Sequence, residues 1–426
     1  MQSTLYLIVF TVTCCLIIAA AALSGRRAKD EDDFSLAGRE LSATGVAWVI
    51  IGTLVGGAST IGTVQMAYSH GFAAWYFTLG SGVACLFLGL FFAYPLREAK
   101  VVTVAEYLGR FFGPRYRKYS SGLTSLGMFV HVIAQFIAAM AILEAVLKPP
   151  LWLSLLLVFL LHLAVVALGG MKGAAWLGRA KCVLLYTLLL VCAALSLVKA
   201  GGVGGLINSL PEGSYGLFAY GGRRGMLHLL SVVVGVLSTQ TYLQALFSAR
   251  DVRAARNGAF LSALLIPPVG FLGIIVGLYL RGAQGTGLGA TAKALPFFIN
   301  SHFGEVFSAI FTAILLVVVL GTGAGLSLGV TTNLFNDFWP KEGRGGAGLW
   351  KIRLCAVAVL LLALFVVNQG LDSAILEWSY LSMGIRGSAV LFGLIIAVFF
   401  ASVAKSLLVR VFLYLLPIVA LLQYCF

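Results

Sequence analysis

Charged residues are what this 426-residue chain has least of. Lys, Arg, Asp and Glu together make up 10% of it, and only 15 residues are acidic. Soluble domains carry about 25% charged residues, so the composition excludes a water-soluble globular protein. No polar stretch is long enough to form a separate soluble domain, a low-complexity tail or an interdomain linker. The seven cysteines (Cys14, Cys15, Cys85, Cys182, Cys192, Cys355 and Cys425) lie in or beside apolar runs and show no metal-ligand spacing. An odd number in such places makes no disulfide framework, and small buried apolar residues account for them. No nucleophile–base pair stands in the apolar runs, so an enzyme active site has no support. A removable signal peptide is not expected: no basic segment precedes the first apolar run and no clear small-residue cleavage site follows it.

What the chain has is apolar length. Hydrophobic residues make up 60% of it, and its mean hydropathy is +1.01. A span needs about 20 apolar residues to cross roughly 30 Å of hydrocarbon. About twelve such spans can be read, at 4–23, 43–67, 72–96, 120–147, 151–168, 180–199, 227–247, 257–280, 303–334, 350–367, 372–400 and 404–425. Loop charge supports this reading. With the N-terminus outside, the inner connections hold most of the Lys and Arg, from Arg26 and Arg27 through Arg97, Arg110, Arg117 and Lys181 to Arg253 and Arg353. The outer ones hold only Lys148, Lys199, Arg223, Arg224, Arg281 and Lys293. This is the positive-inside bias. It accounts for the net charge of +14 without nucleic acid as a partner; membrane lipid is the expected surrounding, in a bacterial inner membrane. The outer segments 200–226 and 281–302, rich in glycine, read as re-entrant turns or short surface helices.

Three stretches are poor material for lipid-facing helix. Gly45–Gly71 carries Gly52, Gly56, Gly57 and Gly62, each weakening a helix by about 1 kcal/mol relative to Ala. Hydroxyls at Thr53, Ser59, Thr60 and Thr63 can bond the backbone groups that a break leaves free. Irregular backbone survives in lipid only where protein or a polar cavity covers it, and discontinuous spans are how secondary transporters expose carbonyls to ion and substrate. Small residues for close helix packing are the other reading. The seventh span has Gly235, Ser238, Thr239, Gln240, Thr241, Tyr242 and Gln244 near its middle, five spans after the first break. Interrupted spans at matching places in two five-span halves point to an inverted repeat; a polar packing seam is the alternative. In the ninth span, Gly321–Trp339 combines small residues with hydroxyls at Thr322, Ser327, Thr331 and Thr332.

Several ordered motifs resemble the solute:sodium symporter family. DDFSLAGRELSATGVAW (Asp32–Trp48) is similar to its D-[YF]-x-x-[AG]-G-R-x-[LM] lead-in to the first core helix. TLVGGASTIGTVQMAYSHG (Thr53–Gly71) follows T-x-x-S-A-S-[ST]-F-x-G…A-Y-x-x-G. PLREAKVVTVAEYLGRFFG (Pro95–Gly113), GGMKGAAW (Gly169–Trp176) and the N-D-F-W that closes Gly321–Trp339 complete the set. The resemblance implies an all-α polytopic membrane protein with a LeuT-type core of five plus five inverted helices and an extra helix at each end. One transporter domain would fill residues 1–426: 4–23 as the extra helix, 43–199 and 227–400 as the two repeats, 404–425 as the last helix. It implies no organic cofactor, Na+ as coupling ion, and symport of a small organic solute by alternating access.

Carried over, the resemblance assigns sodium to carbonyls at Gly52, Val55 and Val318 and to hydroxyl positions at Gly321 and Thr322. Two positions depart from the family. Gly321 replaces a hydroxyl residue, and the family's T-D-x-x-Q reads Leu177-Gly178-Arg179-Ala180-Lys181, so Gly178 stands for the aspartate. Lost oxygen ligands weaken the ion site. Substrate is expected beside Gly56–Ser59, lined by Ser59, Thr63, Trp75, Thr78, His131, Gln135, Gln240, Tyr242, Glu377 and Tyr380. Ser59 and Thr78 match positions lining the sugar pocket of sugar-transporting relatives, but their shorter side chains argue against a hexose. His131 and Gln135, i and i+4, share a helix face. Glu377 and Arg386 stand roughly 13 Å apart along one helix at 1.5 Å per residue and do not obviously pair; Arg386 is placed at an unwound break or snorkelling inward. Asp337 is expected to bond loop residues, and Glu106 with Arg110 to form a salt pair. Proton-coupled or uncoupled transport, and a transporter-like membrane sensor, remain the alternatives.

Overall fold

The computed structural model describes residues 3–25, 35–146, 150–168, 170–285, 287–288, 291–339, 348–369 and 375–425. The basic loop at Arg26 and Arg27, Asp32 and Asp33 of the lead-in motif, Lys148 and Gly169 lie outside them. Among the described residues the chain is helical, with no β-structure beyond one isolated parallel bridge between Leu41 and Ala249. In order the helices are α1 (Thr4–Gly25), α2 (Ala43–Leu54), α3 (Thr63–His70), α4 (Tyr76–Phe87), α5 (Ala93–Glu98), α6 (Val104–Phe112), α7 (Pro114–Val146), α8 (Leu151–Leu168) and α9 (Gly170–Lys199). Then come α10 (Gly202–Asn208), α11 (Gly222–Val236), α12 (Gln240–Phe247), α13 (Val252–Gln284), α14 (Ala294–His302), α15 (Glu305–Phe338), α16 (Gly348–Val367), α17 (Ile375–Phe399) and α18 (Leu407–Cys425). The expected spans fall largely on helix, with residues 147 and 372–374 outside the described ones, and the connections 200–226 and 281–302 contribute the short helices α10 and α14. Among the described residues, seven helical stretches are long and apolar enough to cross a membrane, and shorter apolar helices accompany them. This is an integral membrane protein.

Two long helices, α7 and α15, lie almost wholly inside the bundle and pack on each other; α7 also packs along α17. Peripheral helices turn Leu16, Leu264, Phe365, Leu407 and Leu408 outward, where lipid tails replace the aqueous solvent of a soluble protein. Close approach uses glycine. A Cβ on Gly235 of α11 would overlap Met383 of α17, and one on Gly387 of α17 would overlap Val234 of α11.

Both expected breaks are present. Ser42 caps α2 by accepting from Gly45 N, and the helix ends at Val55, whose φ/ψ of −83°/97° is extended. The chain resumes through a π-wound stretch, Ala58–Gly62, into α3. Hydroxyls bridge the gap: Ser59 Oγ donates to Leu54 O (3.1 Å), Thr60 Oγ1 to Gly56 O (2.8 Å) and Thr63 Oγ1 to Ala58 O (3.1 Å). The second break ends α11 at Val236 and restarts at Gln240 after an extended Thr239 (φ −80°, ψ 121°), whose Oγ1 donates to Gly235 O at 2.6 Å.

At the end of the bundle that carries the Arg-rich connections, Asp337 closes α15 onto α7 and the loop before α6. Its carboxylate accepts from Thr103 Oγ1 (2.9 Å), Ser121 Oγ (2.7 Å) and Arg117 Nε (2.8 Å), and the loop-binding role expected for it is observed. Glu106 and Arg110 do not pair as expected. Glu106 Oε2 accepts from Val102 N and Arg110 donates to Ala99 O, so both serve the loop backbone instead. Removing one partner of a buried ion pair costs about 3–5 kcal/mol; Arg117 keeps about a quarter of its side chain exposed, so screening reduces this to about 2 kcal/mol. Asp337→Ala should therefore lower the melting temperature of the detergent-purified protein, with Asp337→Asn intermediate. Equal melting temperatures for all three would show that the clamp contributes nothing.

Candidate functional site

The α2–α3 break organises the centre. Gly57 N donates to Gln135 Oε1 of α7 at 2.8 Å, so the helix start after the break is capped by a side chain from another span. A Cβ on Gly56 would lie 2.5 Å from Thr322 Oγ1 and 2.7 Å from Gln135 Oε1; one on Gly57 would lie 2.5 Å from Ala138 Cβ. Only glycines let α7 and α15 come this near. Gln135, expected as a substrate ligand, thus spends its oxygen on the break and leaves Nε2 buried with no partner among the described residues.

Three of the oxygens expected to take sodium, those of Gly52, Val55 and Thr322, lie together, and a cation of the chain's own lies among them. Thr322 Oγ1 lies 3.1 Å from Val55 O and 3.4 Å from Gly52 O. Lys181 Nζ donates to Gly52 O at 2.6 Å and to Thr322 Oγ1 at 2.6 Å. Thr322 can accept from the ammonium through a lone pair while its proton goes to Val55 O. The sequence reading put Lys181 at the end of an inner loop. That is corrected: it lies within α9, 2% exposed. Val318 is buried one turn before Thr322. Gly321 faces α9, where a Cβ would stand 2.6 Å from Leu177 Cδ2 and 3.4 Å from Lys181 Cδ. A Cβ on Gly178 would overlap the carbonyl oxygen of Trp48 and lie 3.1 Å from Gly52 Cα. Both departures from the family pattern thus make room for the same helix, and one turn beyond Gly178 that helix delivers Lys181. The signal was present in the sequence, because Lys181 occupies the last position of T-D-x-x-Q.

A second buried cation stands one turn of α7 away from Gln135. Arg386 of α17 is fully buried rather than snorkelling, and α17 is continuous around it. Its Nη2 lies 3.1 Å from His131 Nδ1; since guanidinium can only donate, His131 accepts there. Arg386 Nε and Nη1, His131 Nε2 and Tyr242 Oη have no partner among the described residues. No carboxylate pairs with Arg386 there either. Phe77 of α4 packs edge-on to His131 (6.4 Å between centroids) and against Tyr380 (6.0 Å).

The other expected liners go elsewhere. Ser59 and Thr63 turn their hydroxyls to backbone at the break. Trp75 Nε1 donates to Pro267 O of α13, and a Cβ on Gly270 of α13 would overlap Thr78. Both therefore face α13, while Phe77 takes the central face. Gln240 bonds the loop before α6, accepting from Val104 N (2.9 Å) and donating to Val102 O (3.0 Å). Glu377 is 44% exposed at the opposite end, where it accepts from Arg224 (3.3 Å) and Tyr220 (3.2 Å). From that mouth a run of rings leads inward: Tyr220 to His228 (5.2 Å), His228 stacked on Tyr380 (4.1 Å), then Phe77 and His131. A cavity of about 720 Å³ opens beside Arg224, His228, Glu377 and Tyr380 and runs between α11, α17 and α18, lined further on by Phe392 and Leu416.

Comparison with known proteins matches this architecture. The chain is 23% identical over 401 residues to the uncharacterized symporter YwcA of Bacillus subtilis, covering 88% of this chain and 77% of that one. It is 22% identical over 399 residues to the monocarboxylic acid transporter of Corynebacterium glutamicum, covering 85% and 72%. A Na+-coupled sialic acid symporter, solved substrate-bound and outward-open, superposes with a TM-score of 0.80 at 15% identity, covering 100% of this chain and 98% of that one. The fold is therefore the LeuT-type transporter fold. With the sodium:solute symporter family matching residues 34–406, the chain belongs to that family.

Proposed function

We propose that this transporter carries a small organic anion, a carboxylate, by alternating access around the break at Gly56–Ser59. The carrying observation is Arg386. A fully buried guanidinium with two unpaired donor nitrogens and no carboxylate partner among the described residues costs several kcal/mol unless something compensates it. Ionisable groups at such depth mark substrate pathways. A carboxylate fits the planar fork and would be held by charge-assisted bonds, with Tyr242 Oη and His131 Nε2 as further donors. The monocarboxylic acid named for the Corynebacterium relative supports the same class. In this reading residues 43–199 and 227–400 are the two inverted halves, with 4–23 and 404–425 outside them. The basic end faces the cytoplasm, and the mouth at Glu377 faces outward with its rings closing the site from that side.

Symport with a cation is what family membership supports, and sodium is the ion in the family's description. The place for that cation is the Gly52–Val55–Thr322 oxygen set. The geometry there favours a cation other than free sodium, because an ammonium already lies 2.6 Å from two of its oxygens.

Pyruvate uptake into proteoliposomes, with lactate and lactamide as competitors, tests the substrate class. Lactate should compete and its neutral amide should not; equal competition would sink the anion reading. Arg386→Gln should weaken carboxylate binding by ~10–100-fold, the equivalent of losing about 1.5–3 kcal/mol of charged hydrogen bonding. Glu377→Gln should alter it less than about fivefold, because exposed ion pairs contribute about 0–1 kcal/mol.

A further inference from the structure

We infer that Lys181 is the resident cation of this transporter, standing where a diffusing coupling ion would bind, so that no sodium ion is taken up there. The inference rests on the transport reading above but not on the identity of the solute. Three features on two elements agree. Lys181 Nζ fills the oxygen cradle between α2 and α15, bonding Gly52 O and Thr322 Oγ1. Gly321 removes the second hydroxyl and gives its space to Leu177 and the Lys181 stem. Gly178 removes a carboxylate and lets α9 lie on the α2 backbone at Trp48 and Gly52. A sodium ion in this cradle would face a positive charge with one oxygen ligand fewer and no anionic side chain nearby.

A tethered cation cannot leave the protein as sodium does. Lys181 holds the break against α9 and α15 through its two bonds. Among the described residues, no other ionisable group bonds the cradle oxygens. α2 and α10, both packed on α9, carry none. α1 brings Tyr6, Cys14 and Cys15, of which Tyr6 is bonded to Asn300 and Thr312. α15 brings Glu305 and Asp337 at its two ends, the second held by Arg117. α13 brings Arg253, Arg256, Tyr279 and Arg281, and the turn Ala37–Arg39 brings Arg39, which bonds Phe247 O and Val101 O. On α9 itself stand Arg179, exposed, and Cys182 and Tyr186. His162 of α8 packs against Gly323, next to Thr322; its Nδ1 lies 3.0 Å from Val158 O.

Melting of the purified protein in sodium chloride and in choline chloride at equal ionic strength, without substrate, tests this. Wild type should show no difference, whereas Lys181→Ala with Gly321→Ser should be stabilised by sodium. A sodium shift in wild type, or none in the double variant, overturns the resident-cation inference whatever the solute is.

Discussion

A helix broken in the middle of a membrane leaves backbone groups that nothing in lipid will satisfy, each at a cost of several kcal/mol. The rest of this structure depends on how the break between Leu54 and Ala58 meets that demand. Three hydroxyls from the break itself take the carbonyls of Leu54, Gly56 and Ala58. Gln135 takes the amide of Gly57. Thr322 and Lys181 take the oxygens of Gly52 and Val55. These last three side chains come from α7, α15 and α9, so satisfying the backbone also fixes which helices touch the break and at what height. The glycines follow from this arrangement, because partners bonded directly to backbone leave no volume for a Cβ at Gly56, Gly57 or Gly178.

The local part of this logic was legible in the sequence. Helix propensity is a short-range property, so four glycines among hydroxyls announced the first break, and a polar run between Gly235 and Gln244 announced the second. Asp337 was recognisable as a loop ligand from its place at a helix end. Facing directions were not legible. Thr78 and Phe77 are neighbours on α4, and which of them sees the centre is decided by Gly270 of α13, which leaves room for Thr78 and nothing larger. Gln240 looked like a liner because it restarts a broken helix, yet the loop before α6 offers its amide a donor and an acceptor together. Glu377 was placed by counting along an apolar run. Its depth follows from its partners, because Tyr220 and Arg224 hold the carboxylate at the mouth.

Lys181 and Arg386 escaped for a common reason. Hydropathy reading treats a basic residue as an end of a span or an accident within it, and the positive-inside bias rewards counting it in a loop. The loop location of Lys181 does not survive in three dimensions, and Arg386 keeps its place within the span without a break or snorkelling. α9 begins at Gly170, well before the apolar run, and carries Lys181 inside; α17 passes Arg386 through the bundle beside His131. A charge that burial ought to remove, held where nothing acidic among the described residues offsets it, is better evidence of function than any of the polar residues chosen for their position in a motif.

The two cations face different problems. Arg386 does not release its proton at any accessible pH, so its charge is permanent and an anion is what compensates it. Lys181 is compensated by a carbonyl dipole and a hydroxyl. A diffusing sodium ion would add a term that grows with its concentration outside. A tethered ammonium adds a constant one, which an ion gradient does not alter.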